Sequence, residues 1–95
     1  MADSDHPVWQ LALKLVPGAV HDIEPAGKGA NSAVHRVRTA GSDYALKLYQ
    51  AAGGNNVERL EVEWRALSFL RNNGLHQVPR PIARSAPDCC LVMYW

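Results

Sequence analysis

Ninety-five residues carrying a net charge of +1, with ten Lys and Arg against nine Asp and Glu, fit one small domain and lack the basic excess of a charge-driven nucleic-acid binder. The same balance gives no support for an anionic membrane surface as partner, and no apolar run approaches the ~20 residues of a membrane span. The polar start Met1-Ala2-Asp3-Ser4-Asp5 is unlike a signal peptide, and the adjacent Cys89 and Cys90 suit neither a shared metal nor a disulfide framework, which together fit a reducing cytoplasm.

The chain divides at residue 18 into a tail with a short helix (1–18) and a lobe (19–95). Residues 8–16 predict the helix, with Pro7 in its first turn and Pro17-Gly18 stopping it. Its apolar residues are expected to dock on a sheet edge. Residues 19–24 predict a first strand, and residues 25–32 a turn-forming loop rich in small side chains. Residues 33–39 interleave β-branched and polar residues and predict a second strand. Residues 40–43 form a hairpin turn into a third, 44–49, so these strands make an antiparallel meander. A long helix follows, with Asn55 as N-cap, Glu58 three residues on, Arg71 in the last turn and Gly74 as C-cap. Val57, Leu60, Trp64, Leu67 and Leu70 fall on one of its faces. Residues 77–81 predict an extended connector, and 82–85 and 89–95 two more strands. The elements add up to an α+β fold: a five-stranded antiparallel sheet with one long helix packed on it and a short N-terminal helix.

Tyr44-Ala45-Leu46-Lys47-Leu48-Tyr49 is apolar except for its central lysine. Desolvating a lone ammonium is costly, so a lysine buried there needs an anion: a carboxylate of the chain, a ligand phosphate, or both. At ~100° per helical residue, Glu58 points away from the apolar stripe and Glu61 lies near its edge. Glu63 falls inside the stripe, between Leu67 and Leu70. A pair between Lys47 and Glu63 removes the desolvation problem of each. Upstream, Gly27-Lys28-Gly29-Ala30-Asn31-Ser32-Ala33-Val34 has the form GxGxxSxV. Small residues let backbone approach a phosphate, and exposed turn amides attract anions. This is neither a Walker loop nor a dinucleotide fingerprint, because strand leads to strand with no helix between. His6, His21, His35 and His76 show no metal-ligand spacing.

Val34 lies five residues after Gly29, and Lys47 thirteen after Val34. With Glu63, Val78-Pro79-Arg80-Pro81 and Leu91-Val92-Met93-Tyr94-Trp95, this arrangement resembles the N-terminal lobe of the aminoglycoside phosphotransferase and choline kinase-like group of small-molecule kinases, which share the protein-kinase-like fold. The resemblance covers about residue 20 to 95. The Val-Pro-x-Pro segment, and Ser32 in place of a third glycine, favour this group over protein kinases.

The resemblance implies that Lys47 holds the α- and β-phosphates of ATP and that Glu63 orients Lys47. Gly27, Lys28, Gly29, Ala30, Asn31 and Ser32 would cover the phosphates. Val34 and Ala45 would pack on adenine, Met93 would back the pocket, and the backbone of Tyr94 and Trp95 would begin the hinge. The family's catalytic aspartate and Mg²⁺ ligands lie in a C-terminal lobe, and no His-x-Asp or Asp-Phe-Gly segment occurs in these residues. The expectation is therefore the ATP-binding half of a phosphotransferase acting on a hydroxyl acceptor, cut at the hinge and not catalytic alone. The apolar end at 89–95 would pack on the C-terminal lobe or on a second copy. The alternative is a non-catalytic binding or regulatory module that docks a partner through its open C-terminal strand.

Overall fold

Side-chain alternation along the third predicted strand organises the molecule. Tyr44 and Leu46 belong to one buried cluster, Ala45 and Tyr49 to another, because successive strand residues point to opposite faces. The computed structural model describes residues 7–28, 32–49 and 56–95. Its elements are α1 (Pro7–Leu15), β1 (Val20–Lys28), β2 (Ser32–Thr39), β3 (Asp43–Tyr49), α2 (Asn56–Asn72), β4 (Pro81–Ser85) and β5 (Cys90–Tyr94). The strands form one sheet in the order β1-β2-β3-β5-β4, with every pairing antiparallel.

Each face of the sheet carries one helix. On the first, Val37, Tyr44, Leu46, Cys90 and Val92 pack with Ala12 of α1 and with Val16 just beyond it. On the second, Ala45, Tyr49, Leu91 and Met93 pack with Leu60 of α2, flanked by Val34, Trp64 and Leu67. The expected docking of α1 on a sheet edge is therefore corrected: it covers a face. Both rows of β3 are apolar, so both must be removed from water. Outside the packed faces, Lys14 of α1 reaches Asp88 at 3.2 Å. The Ser85 hydroxyl donates to the same Asp88 oxygen at 2.7 Å, so α1 is tied to the β4–β5 turn.

Three further expectations change. Residues 25–28, read as loop, extend β1: Pro25 pairs with His35, Gly27 with Val34 and Lys28 with Ala33, with a register shift between Pro25 and Gly27. Proline is tolerated there because β1 is an edge strand, where a missing N–H need not cost a ladder bond. Gly29, Ala30 and Asn31 of that loop, the N-cap Asn55 and residues 1–6 lie outside the described residues. Val57, placed on the apolar face of the helix, is 44% exposed. The first turn of α2 stands clear of the sheet, and burial begins at Leu60. Finally, β5 is not an open strand. It pairs with β3 on one side and β4 on the other, and Cys90, Leu91, Val92 and Met93 are buried. Only Tyr94 and Trp95 of that apolar end are exposed.

The helix terminus matches its sequence signal. Gly74 has φ +87°, its N–H donates to the Arg71 carbonyl at 3.2 Å, and the Leu75 N–H donates to the Leu70 carbonyl at 3.0 Å. These are the two bonds of a Schellman cap, which needs a left-handed residue at this position. The two cysteines part company as well. Cys89 sits in the turn at φ 50°, while Cys90 is fully buried in β5, where burial pushes its thiol up to about 11.

These contacts set a stability ranking. Leu60→Ala is expected to cost ~2–5 kcal/mol, whereas Val57→Ala stays within about 0.5 kcal/mol of wild type. Gly74→Ala should lose about 1 kcal/mol through strain at positive φ. Urea unfolding monitored by tryptophan fluorescence measures all three.

Candidate functional site

The face of β3 that carries Ala45 and Tyr49 also carries Lys47, because all three alternate together. α2 packs over this face and brings Glu63 down onto it. Lys47 Nζ lies 2.9 Å from Glu63 Oε1. The Tyr49 hydroxyl donates to that same oxygen, and its ring centroid lies 5.2 Å from Lys47 Nζ. One carboxylate oxygen thus accepts from two donors on one strand.

The lysine is less enclosed than its apolar neighbours suggested. The Lys47 and Glu63 side chains are 24% and 30% exposed, while Tyr49 is buried. The exposed first turn of α2 leaves a cleft of about 490 Å³ in front of the pair. Ser32, Glu58, Arg59 and Val62 line it with Lys47, Tyr49 and Glu63. Burial first, then the hydrogen bond to Glu63 and that group's charge, hold the Tyr49 phenol far above its ordinary value of 10.0. Tyr49 therefore remains a donor across the physiological range.

Two of these groups, Tyr49 and Arg59, were not singled out from sequence, although local spacing pointed to both. Tyr49 stands two residues after Lys47 in a strand, hence on the same face. Arg59 stands four residues before Glu63 in a helix, hence on a neighbouring stretch of the same face. Arg59 forms no ion pair among the described residues.

Beyond the lysine, the sheet places the predicted apolar residues together. Val34 pairs with Lys47 and Lys47 with Leu91; one row on, Arg36 pairs with Ala45 and Ala45 with Met93. Ala45 and Met93 are buried, and Val34 packs against their cluster. Gly27 and Lys28 lie at the end of β1 opposite Val34 and Ala33. A Cβ built on Gly27 would meet no atom within 4 Å.

The end of the chain is arranged differently. The Tyr94 ring stacks on Tyr44 with centroids 5.2 Å apart, on the α1 face. The Tyr94 N–H donates to the Arg80 carbonyl and the Trp95 N–H to the Asp43 carbonyl, at 3.0 and 3.1 Å. Arg36 donates through Nε and Nη2 to Asp43 Oδ2 at 2.9 and 2.6 Å, and its guanidinium lies 4.6 Å from the Trp95 ring centroid.

Residues 22–95 match the model of the phosphotransferase enzyme family known as APH. The chain belongs to that family. The match takes in nearly all of β1 and every later element, leaving α1 outside it. Five antiparallel strands with α2 on one face fit the N-terminal lobe of a kinase-like phosphotransferase. No match was found among curated proteins. No described helix is long and apolar enough to cross a membrane.

The phenol yields a pH prediction. Folding raises the Tyr49 value above 10.0, so its contribution to stability is whole below about pH 10 and is lost as pH rises through the folded value. Wild-type urea midpoints should fall more steeply above about pH 10 than those of Tyr49→Phe, which lacks the ionising group. Parallel curves for the two proteins would contradict this account of the phenol.

Proposed function

We propose that this chain is the nucleotide-binding lobe of an ATP-dependent phosphotransferase acting on a hydroxyl acceptor. The observation that carries the reading is the Lys47–Glu63 pair, held across β3 and α2 and left open to a cleft. A cation so placed can be shared with a phosphate, whereas a fully enclosed pair could not. Arg59 and Ser32 offer the phosphates a second cation and a hydroxyl in the same cleft.

In this reading Lys47 takes the α- and β-phosphates, oriented by Glu63. The strip from Gly27 and Lys28 through Gly29, Ala30 and Asn31 to Ser32 covers them, and the open space at Gly27 suits close approach by a ligand. Adenine rests on Val34, Ala45 and Met93. Because the Tyr94 and Trp95 amides bond within the lobe, these two residues bound the base end by shape, with Arg36 stacked on Trp95. Phosphoryl transfer is largely positioning and charge stabilisation. This lobe supplies the positioning. Among the described residues no group of three or more His, Cys, Asp or Glu gathers to hold a metal. In this reading the Mg²⁺ ligands and the catalytic base belong to the C-terminal lobe that the family resemblance implies, and the described residues position the nucleotide without carrying the chemistry. A cytosolic setting suits an ATP-dependent role. A docking module that adds a partner strand to β5 finds no free edge there.

Titrating the isotope-labelled chain with ATP should shift the amides around Lys47, Ala45 and Ser32, with a Kd of about 1 mM or weaker. Lys47→Ala should remove the shifts and Arg59→Ala should weaken them. Silence at those amides in the wild-type chain at about 10 mM ATP, or unchanged shifts in Lys47→Ala, would overturn the reading. In a protein joining this lobe to its catalytic partner lobe, Lys47→Ala or Glu63→Ala should lower ATP-dependent turnover on the order of 10²-fold.

A further inference from the structure

We propose that Tyr49 is a positioning residue: its hydroxyl keeps Glu63 seated on β3 while Lys47 is drawn toward a nucleotide phosphate. This rests on the nucleotide reading above and adds a component that the lysine–glutamate pair does not contain. Glu63 Oε1 accepts from Lys47 at 2.9 Å and from the Tyr49 hydroxyl. The two donors differ in freedom. Lys47 ends a flexible stem whose side chain is partly exposed to the cleft. Tyr49 is buried, with its ring packed in the cluster that contains Leu60, Leu91 and Met93.

A phosphate arriving in the cleft competes with Glu63 for the ammonium. Were Lys47 the sole donor, that competition would leave a largely covered carboxylate without a partner, a costly state. The Tyr49 hydroxyl remains on Oε1 throughout, so the lysine can be shared at lower cost. Its ring face, 5.2 Å from Nζ, gives the ammonium a favourable neighbour in either orientation. The same bond links β3 to α2 near the exposed first turn of the helix. Another polar tie of α2 to the sheet lies over β4, where Arg84 Nε approaches Glu61 at 3.3 Å and its guanidinium lies 4.7 Å from the Trp64 ring centroid. Without Tyr49, the segment that presents Glu63 would be held to β3, among the described residues, by Lys47 and apolar packing.

Tyr49→Phe keeps the ring and removes the hydroxyl. Without nucleotide, amide hydrogen exchange over residues 58–63 should quicken in Tyr49→Phe by a larger factor than at the sheet amides of Leu46 and Val92, whose change reads the loss of global stability. The ATP Kd should rise on the order of five- to tenfold, the worth of one hydrogen bond. In a Glu63→Ala background the same substitution should change neither quantity further. Exchange over residues 58–63 that quickens no more than at those sheet amides overturns the anchoring. An equal loss of ATP affinity in the Glu63→Ala background overturns positioning in favour of direct contact. If the wild-type chain binds no ATP, the nucleotide reading fails and takes the phosphate half of this proposal with it, while the exchange comparison still decides whether Tyr49 anchors Glu63.

Discussion

The strand β3 is covered on both faces, and the rest of the lobe is arranged to meet that constraint. Leu46 is fully buried on one side and Ala45 nearly so on the other. A sheet apolar on both faces needs two covers, and the chain supplies one helix for each. The two covers differ in chemistry. The α1 side is lined by apolar side chains of β2, β3 and β5, so a small, close-packing helix with Ala12 at its contact suffices. The α2 side includes the ammonium of Lys47, so its helix must deliver a carboxylate as well as Leu60.

That electrostatic requirement is met at an intermediate depth. Exposed ion pairs contribute about 0–1 kcal/mol and do not fix geometry, while enclosed ones carry a desolvation penalty and are closed to ligands. Lys47 and Glu63 sit between these limits. They are sheltered enough by Tyr49 and α2 to hold a defined arrangement, and open enough through the cleft for a third, anionic group to enter. The pairing of Tyr49 with the same oxygen belongs to the same compromise. It raises the number of donors around the carboxylate without adding a second positive charge to an already crowded strand face.

Much of this was legible from local sequence. The stop signals after α1, the Schellman cap at Gly74 and the alternation along β3 are short-range properties, decided within a turn or two of chain, and each appears where expected. The face of α2 that holds Glu63 was readable for the same reason. Where the reading failed, a distant part of the chain was responsible. Pro25 and Gly27 punctuate the sequence like a loop, yet pairing with His35 and Val34 draws them into an edge strand that tolerates proline and a register shift. Val57 has the right helical spacing for the core, but no sheet lies beneath the first turn. The apolar run 89–95 resembles an unpaired end when taken by itself; insertion of β5 between β3 and β4 uses both of its edges.

The sequence by itself determined the elements, the family to which residues 22–95 belong, and the pairing of one strand lysine with one helix glutamate. Periodicity and caps depend on neighbouring residues, and a buried charge announces its need for a partner. Tertiary structure alone decided which helix covers which face, that β5 is a central strand, and that Tyr49 and Arg59 converge with Lys47 on one cleft. Those outcomes depend on contacts between residues far apart in the chain, whose free energies are set by the whole packed arrangement and not by any window of sequence.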